Sequence, residues 1–175
     1  MLQKLKYLLV WMSRANHCRG FGVQSPADYW FVRNVVNEHM PYYAYDTLGT
    51  HDEWLVRRLG LLYFRIANWL QPDAIVTDGY EDYFRAGCKR AVIGSEMHNG
   101  TVLTRVVTGA DGNPLPFPGL MSDRSVMIVE GIDRHCEQWK EIIADARAVI
   151  TFDLYYCGIV MFDKKRTKQH YKINF

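Results

Sequence analysis

The sequence predicts an α/β domain: a mixed sheet flanked by helices, preceded by a helical extension and closed by antiparallel strands. Three observations carry this. Asp73-Ala74-Ile75-Val76-Thr77-Asp78-Gly79-Tyr80 reads as a short buried strand that leaves a long helix and ends at an acidic residue followed by glycine, the way a nucleotide-binding sheet begins. Ser125 to Val129 is a second compact apolar strand, closed by Glu130-Gly131 and followed by a helical pattern long enough for a crossover. Three strand-like runs then end the chain, Ala148 to Leu154, Gly158 to Phe162 and Gln169 to Phe175.

The 175 residues fit one domain, 1–175, with 1–50 as the N-terminal helical extension and 51–175 as the α/β core. Hydrophobic residues at 49% and aromatics at 14% exclude global disorder, and a net charge of +2 compels neither a nucleic-acid nor a membrane reading. Cys18, Cys88, Cys136 and Cys157 form no CxxC pair and have no histidine at zinc-finger spacing. Scattered thiols of this kind suit a reducing cytoplasm, so a cytoplasmic location is expected. No run approaches the roughly 18 apolar residues of a membrane span.

Along the chain, Leu2, Leu5, Leu9 and Met12 share one helical face, which is expected to dock on the domain; a membrane-surface helix is the alternative. Ser25-Pro26-Ala27-Asp28 reads as a helix start, with Ser25 at the N-cap and Asp28 closing a capping box. Tyr29, Val32, Val36 and Met40 supply its stripe, and Pro41 ends it. Asp52 is placed to cap the strongest helix, running to about Leu70 with Leu55, Leu59, Leu62, Ile66 and Trp69 on its apolar face. Arg57, Arg58 and Arg65 fall largely elsewhere and are expected on a solvated flank.

After the opening strand, a polar-aromatic segment from Glu81 to Ala86 leads to Arg90-Ala91-Val92-Ile93. Asn99-Gly100 separates this from Val102 to Val107, a strong hairpin signal, and the gap is too short for a helical crossover. The two strands are therefore expected to pair antiparallel or to join by an irregular loop. Pro114, Pro116 and Pro118 mark an exposed loop, and a helix from about Asp133 to Asp145 buries Trp139, Ile142 and Ile143. Lys164 to Lys168 is expected as a solubilising turn between edge strands.

Three stretches resemble class I S-adenosylmethionine-dependent methyltransferases, in a bacterial O-methyltransferase-like branch. Gly20-Phe21-Gly22-Val23-Gln24-Ser25-Pro26 resembles that branch's N-terminal HGVHSPF segment, and Leu61 to Pro72 resembles the helix before its first strand. Thr151 to Val160 through Lys168-Gln169-His170-Tyr171 resembles its terminal strands. The resemblance covers roughly half of the chain and implies a Rossmann-like fold and S-adenosylmethionine as cofactor. It places Gly79, Glu96 and Asp111 at cofactor-binding positions, and Val129-Glu130-Gly131 with His135 resembles the family's IDGxH segment. Glu130 and His135 are also the candidates for general acid–base catalysis, since they lie where a strand's carboxyl end opens to a crevice.

The departures from the family are as telling. Tyr80, Asp82 and Tyr83 stand where the family's turn needs small residues, so a side chain blocks close backbone approach. The helix after the second strand and the family's metal-binding DDI strand have no counterpart, so no metal ligand set is expected. Asp78, Glu81 and Asp82 alone do not converge on a cation, and Cys157 has no adjacent base. The expectation is a degenerate methyltransferase-like domain, without activity or bound cofactor, acting as a binding or interaction module. The sheet edge exposed by the deletions makes a homo-oligomer the expected partner arrangement. Two alternatives stay open: an active small-molecule O-methyltransferase with an atypical cofactor loop, and a nucleic-acid-associated protein with one basic face joining Arg57, Arg58 and the Lys164 turn.

Overall fold

The computed structural model describes residues 2–94, 100–109 and 122–175. The expected α/β architecture is present: a seven-stranded mixed sheet flanked by helices. The helices are α1 (Leu2–Ser13), α2 (Pro26–Phe31), α3 (Trp54–Leu70), α4 (Glu81–Gly87) and α5 (Cys136–Ala144). The strands are β1 (Ala74–Val76), β2 (Val92–Gly94), β3 (Val102–Val107), β4 (Val126–Glu130), β5 (Ile150–Asp153), β6 (Cys157–Met161) and β7 (Gln169–Lys172), in the spatial order β2-β1-β3-β4-β6-β5-β7.

Side chains alternate across the strands, so each apolar run feeds both faces. Ile75, Leu103, Ile128, Phe152 and Ile159 pack under α2, α3 and α4, whereas Met127, Val129 and Val160 pack under Trp139 and Ile142 of α5. Near the start of β6, Gly158 lets the Trp139 ring lie where a Cβ would stand. Gly87 does the same for α4, bringing it against the backbone of α3.

Several expectations are corrected. β2 and β3 do not pair with each other; both run parallel to β1 and flank it, Ile75 lying opposite Ile93 on one side and Leu103 on the other. The length limit on parallel crossovers presumes a helix and full-length strands. With three-residue strands the return is only about 10 Å along and 10 Å across, and seven residues span up to about 23 Å. Asn99 lies outside the described residues. At the chain's end β5 and β6 are antiparallel as expected, but β7 pairs parallel with β5, so β6 alone opposes the other strands. The Lys164 turn therefore leads from an interior strand to an edge strand. The segment after Tyr80 is the helix α4.

The extension differs in register. Ser25 caps α2, accepting from the Asp28 amide at 3.4 Å, yet Asp28 does not close a capping box. Its buried carboxylate pairs with Arg166 at 2.5 Å and accepts from Tyr171 at 3.2 Å. Of the expected stripe Val32 and Val36 are buried, with Phe31 and Val35 beside them, and Tyr29 is exposed; the helix closes in a π turn at Val32–Val36, short of Pro41, so the exposed Met40 lies beyond it. Glu53, not Asp52, occupies the α3 N-cap position; Asp52 accepts from the Tyr83 hydroxyl at 2.6 Å. On α1 the stripe expected to dock faces outward: Leu5, Leu9 and Met12 are exposed, and Tyr7 makes the contact, its ring edge-on to Trp54 at 4.6 Å.

The arginines of α3 are not a solvated flank. Residues 37–48 form no long helix or strand, so the extension's carbonyls look for donors, and α3 supplies them. Arg57 donates to Tyr45 O and Leu48 O, and Arg58 sits among the rings of Tyr7, Trp54 and Phe175. Arg65 is buried and donates to Val35 O at 2.6 Å, Val36 O at 3.0 Å and the Tyr45 hydroxyl. Arg65→Leu is expected to destabilise the protein by about 2–3 kcal/mol, because two buried carbonyls lose a charged donor. Urea unfolding beside the exposed control Arg33→Ala, expected within about 0.5 kcal/mol of wild type, measures it.

The two ends of the chain are joined. Arg14 donates to Asp153 O and Ile173 O and pairs with the Asp153 carboxylate at 2.6 Å. Asn174 donates from its backbone to His17 O and from its side chain to Trp11 O.

Candidate functional site

In an open α/β sheet, ligands bind beyond the carboxyl ends of the strands where successive connections leave in opposite directions. Here β1 connects to β2 on one side, and the chain then returns past β1 to β3 on the other, so that point lies between β1 and β3. Asp78, Gly79 and Tyr80 follow β1, Arg105 lies on β3, and Glu130 ends β4.

These residues form one network. Arg105 grips Glu130 with two hydrogen bonds, Nε to Oε1 at 3.0 Å and Nη2 to Oε2 at 2.7 Å, the fork geometry that makes arginine–carboxylate pairs strong. Its remaining nitrogen donates to Asp78. The Tyr63 hydroxyl, from the buried face of α3, also donates to Glu130 Oε1. The Tyr80 ring lies 4.8 Å from the Arg105 guanidinium and edge-on to Tyr63 at 5.0 Å. Arg105 and Glu130 side chains are only 8% and 12% exposed, whereas Asp78 is 78% exposed, so Glu130 is the principal counter-ion.

The turn after β1 is closed by the Thr77 hydroxyl, which donates to Gly79 O at 2.6 Å and accepts from Gly79 N at 3.2 Å. Tyr80 then takes a left-handed conformation, φ +60, which costs about 1–3 kcal/mol for a non-glycine residue. Its contacts with Arg105, Tyr63 and Tyr83 hold it there.

The electrostatics keep the two tyrosines and Arg105 in their protonated forms. Burial, and then the charges of Cys157 and Glu130, push the Tyr63 hydroxyl well above the ordinary tyrosine range. Burial and the Glu130 charge raise Tyr80 to about 12. Both phenols stay protonated donors at neutral pH. Burial alone would lower the Arg105 guanidinium; the hydrogen bonds and charge of Glu130 more than reverse this and raise it. Cys157, opposite Glu130 across the β4–β6 ladder, is buried, and that burial raises its thiol, consistent with the inert thiol expected.

Of the residues singled out in the sequence, Glu130 sits at the centre of the network with both oxygens engaged by donors. His135 stands at the α5 N-cap without a side-chain cap bond, and among the described residues no hydrogen bond joins it to Glu130. Gly79 lies beneath Arg105: a Cβ built on it would meet only Arg105 Nη1, 3.7 Å away. Glu96 and Asp111 lie outside the described residues. Asp78 serves Arg105, and no group of three or more His, Cys, Asp or Glu that could hold a metal occurs among the described residues.

Arg105 and Tyr63 are the members that motif reading missed. The signal for Arg105 was a lone charge inside an apolar strand, since arginine is almost never buried unless paired. Tyr63 carried no signal beyond a polar tip on a buried helical face. Two depressions flank the network: about 280 Å³ bounded by Trp54, Leu59, Glu130, Asp133 and Tyr156, and about 580 Å³ bounded by Asp52, Val56, Gly79 and Tyr80. Arg105 lines neither and stands between the residues that do. Compared with models of known families, with curated proteins and with solved structures, the chain matches none of them.

Proposed function

We propose that the chain is a Rossmann-like, methyltransferase-like domain that does not methylate and acts as a binding or interaction module. The observation that carries this reading is Arg105, bridging Asp78 and Glu130 over Gly79 with Tyr80 stacked against it. S-adenosylmethionine needs close backbone approach at the turn after the first strand, and there this chain presents a tyrosine ring and a buried ion pair. These residues do not fit the cofactor. Extracting Arg105 to admit a ligand would strand Glu130, at a cost of several kcal/mol.

For the binding role, β2 and β7 are the two sheet edges and Val92 on β2 is exposed, which favours pairing with a second copy or another strand. The nucleic-acid alternative required Arg57 and Arg58 on a continuous basic face, and both are spent on internal contacts. Thermal unfolding with S-adenosylmethionine and S-adenosylhomocysteine is the test. No shift in Tm at millimolar ligand is expected; binding at micromolar concentration, which at a hundredfold excess adds about 2.7 kcal/mol, overturns the reading.

A further inference from the structure

The stripe on α1 that faces outward is unpartnered and regular. Leu5, Leu8, Leu9 and Met12 follow the i, i+3, i+4, i+7 pattern, and all are about half exposed, with Trp11 at the flank. The chain next exposes Phe21, 78% accessible, between Gly20 and Gly22, which both adopt positive φ. Of the fifteen large apolar side chains exposed among the described residues, eight fall in residues 5–30, so the exposure is concentrated in this segment and not scattered.

Charge is concentrated in the same place. Residues 1–27 hold Lys4, Lys6, Arg14 and Arg19 and no acidic residue; the first is Asp28. Of the chain's 21 basic and 19 acidic residues, 4 and 0 fall here, leaving 17 − 19 = −2 for residues 28–175. Arg14 is committed to Asp153, and Lys6 reaches Asp133 only at 3.6 Å while staying exposed.

We infer that this N-terminal segment docks on an anionic lipid bilayer surface, with the α1 stripe and Phe21 entering the headgroup boundary and the exposed Lys6 and Arg19 meeting the lipid charge. An apolar helical face with Leu and Trp, flanked by cations and too short to span, is the composition of an interfacial helix. Each basic residue near such a surface adds about fivefold to binding. A second copy fits less well. Several half-exposed side chains offer only a few hundred Å², below the roughly 800 Å² per partner of a stable dimer, and two acid-free segments would repel. The inference is independent of the crevice: the cofactor titration decides one and lipid binding the other.

Flotation of the full chain with phosphatidylcholine–phosphatidylglycerol vesicles and with pure phosphatidylcholine vesicles is the experiment. Binding is expected to the anionic vesicles, to weaken as salt is raised, and to fall at least about tenfold in the Leu5→Glu/Leu9→Glu double variant. Both positions are exposed, so an unchanged circular dichroism spectrum and Tm verify that the variant stays folded. Absence of binding to anionic vesicles, or equal binding by the double variant, overturns the inference. A dimer in solution that the double variant abolishes, without vesicle binding, assigns the face to a second copy and overturns it too.

Discussion

Glu130→Leu is expected to destabilise the protein by about 3–5 kcal/mol, because it leaves the Arg105 guanidinium buried without its principal counter-ion and the Tyr63 hydroxyl without an acceptor. Asp78 cannot substitute, since its carboxylate is largely in water and its attraction is screened. The paired change Arg105→Met/Glu130→Leu removes both charges and fills the space with apolar groups, so it is expected to return to within about 1–2 kcal/mol of wild type. Urea unfolding of the two variants beside wild type measures the difference. Equal midpoints for Glu130→Leu and wild type would show that the network contributes nothing to folding.

Trp139→Ala is the second large effect, about 3–5 kcal/mol, or a Tm lower by roughly 6–20 °C for a chain of this size. Trp139 is buried on the α5 face of the sheet, over the space that Gly158 leaves open, so truncation empties a slot nothing else can fill. Among the described residues its buried indole nitrogen has no hydrogen-bond partner. Trp139→Phe discards that unpaired donor while keeping most of the ring, and roughly half the loss or less is expected. Equal losses for the two variants would show that the slot tolerates no smaller ring at all.

Elements with a strong local signal were legible in the sequence. β1, β4, α3 and the three terminal strands stand where apolar runs and breakers place them, because burial on one or two faces fixes such patterns. Strand pairing was not, since β2 and β3 carry a hairpin signal yet run parallel on either side of β1, a strand that precedes both in the chain. The end of the helix after α2 was misplaced, because a π turn at Val32–Val36 closes it before Pro41 and leaves no compositional mark. At the site, Glu130 and Gly79 were visible as strand-end residues. The bond that joins their neighbourhood comes from Arg105, whose partners are 25 and 27 residues away in the chain. Sequence shows that a buried charge needs a partner, not which one it takes.

The joined chain ends bear on how the protein emerges from the ribosome. Trp11 O waits for the Asn174 side chain, 163 residues later, and Arg14 for carbonyls at Asp153 and Ile173. At about 5–20 residues per second, the N-terminal segment is outside the exit tunnel for roughly 10–30 s before its anchors are made. Throughout that interval α1 has its Tyr7 contact with Trp54 and Arg58 but lacks the anchors at Trp11 and Arg14, and its leucines are available to whatever the nascent chain meets first. Residues near 153 and 174 thus set the position of a segment translated well before them.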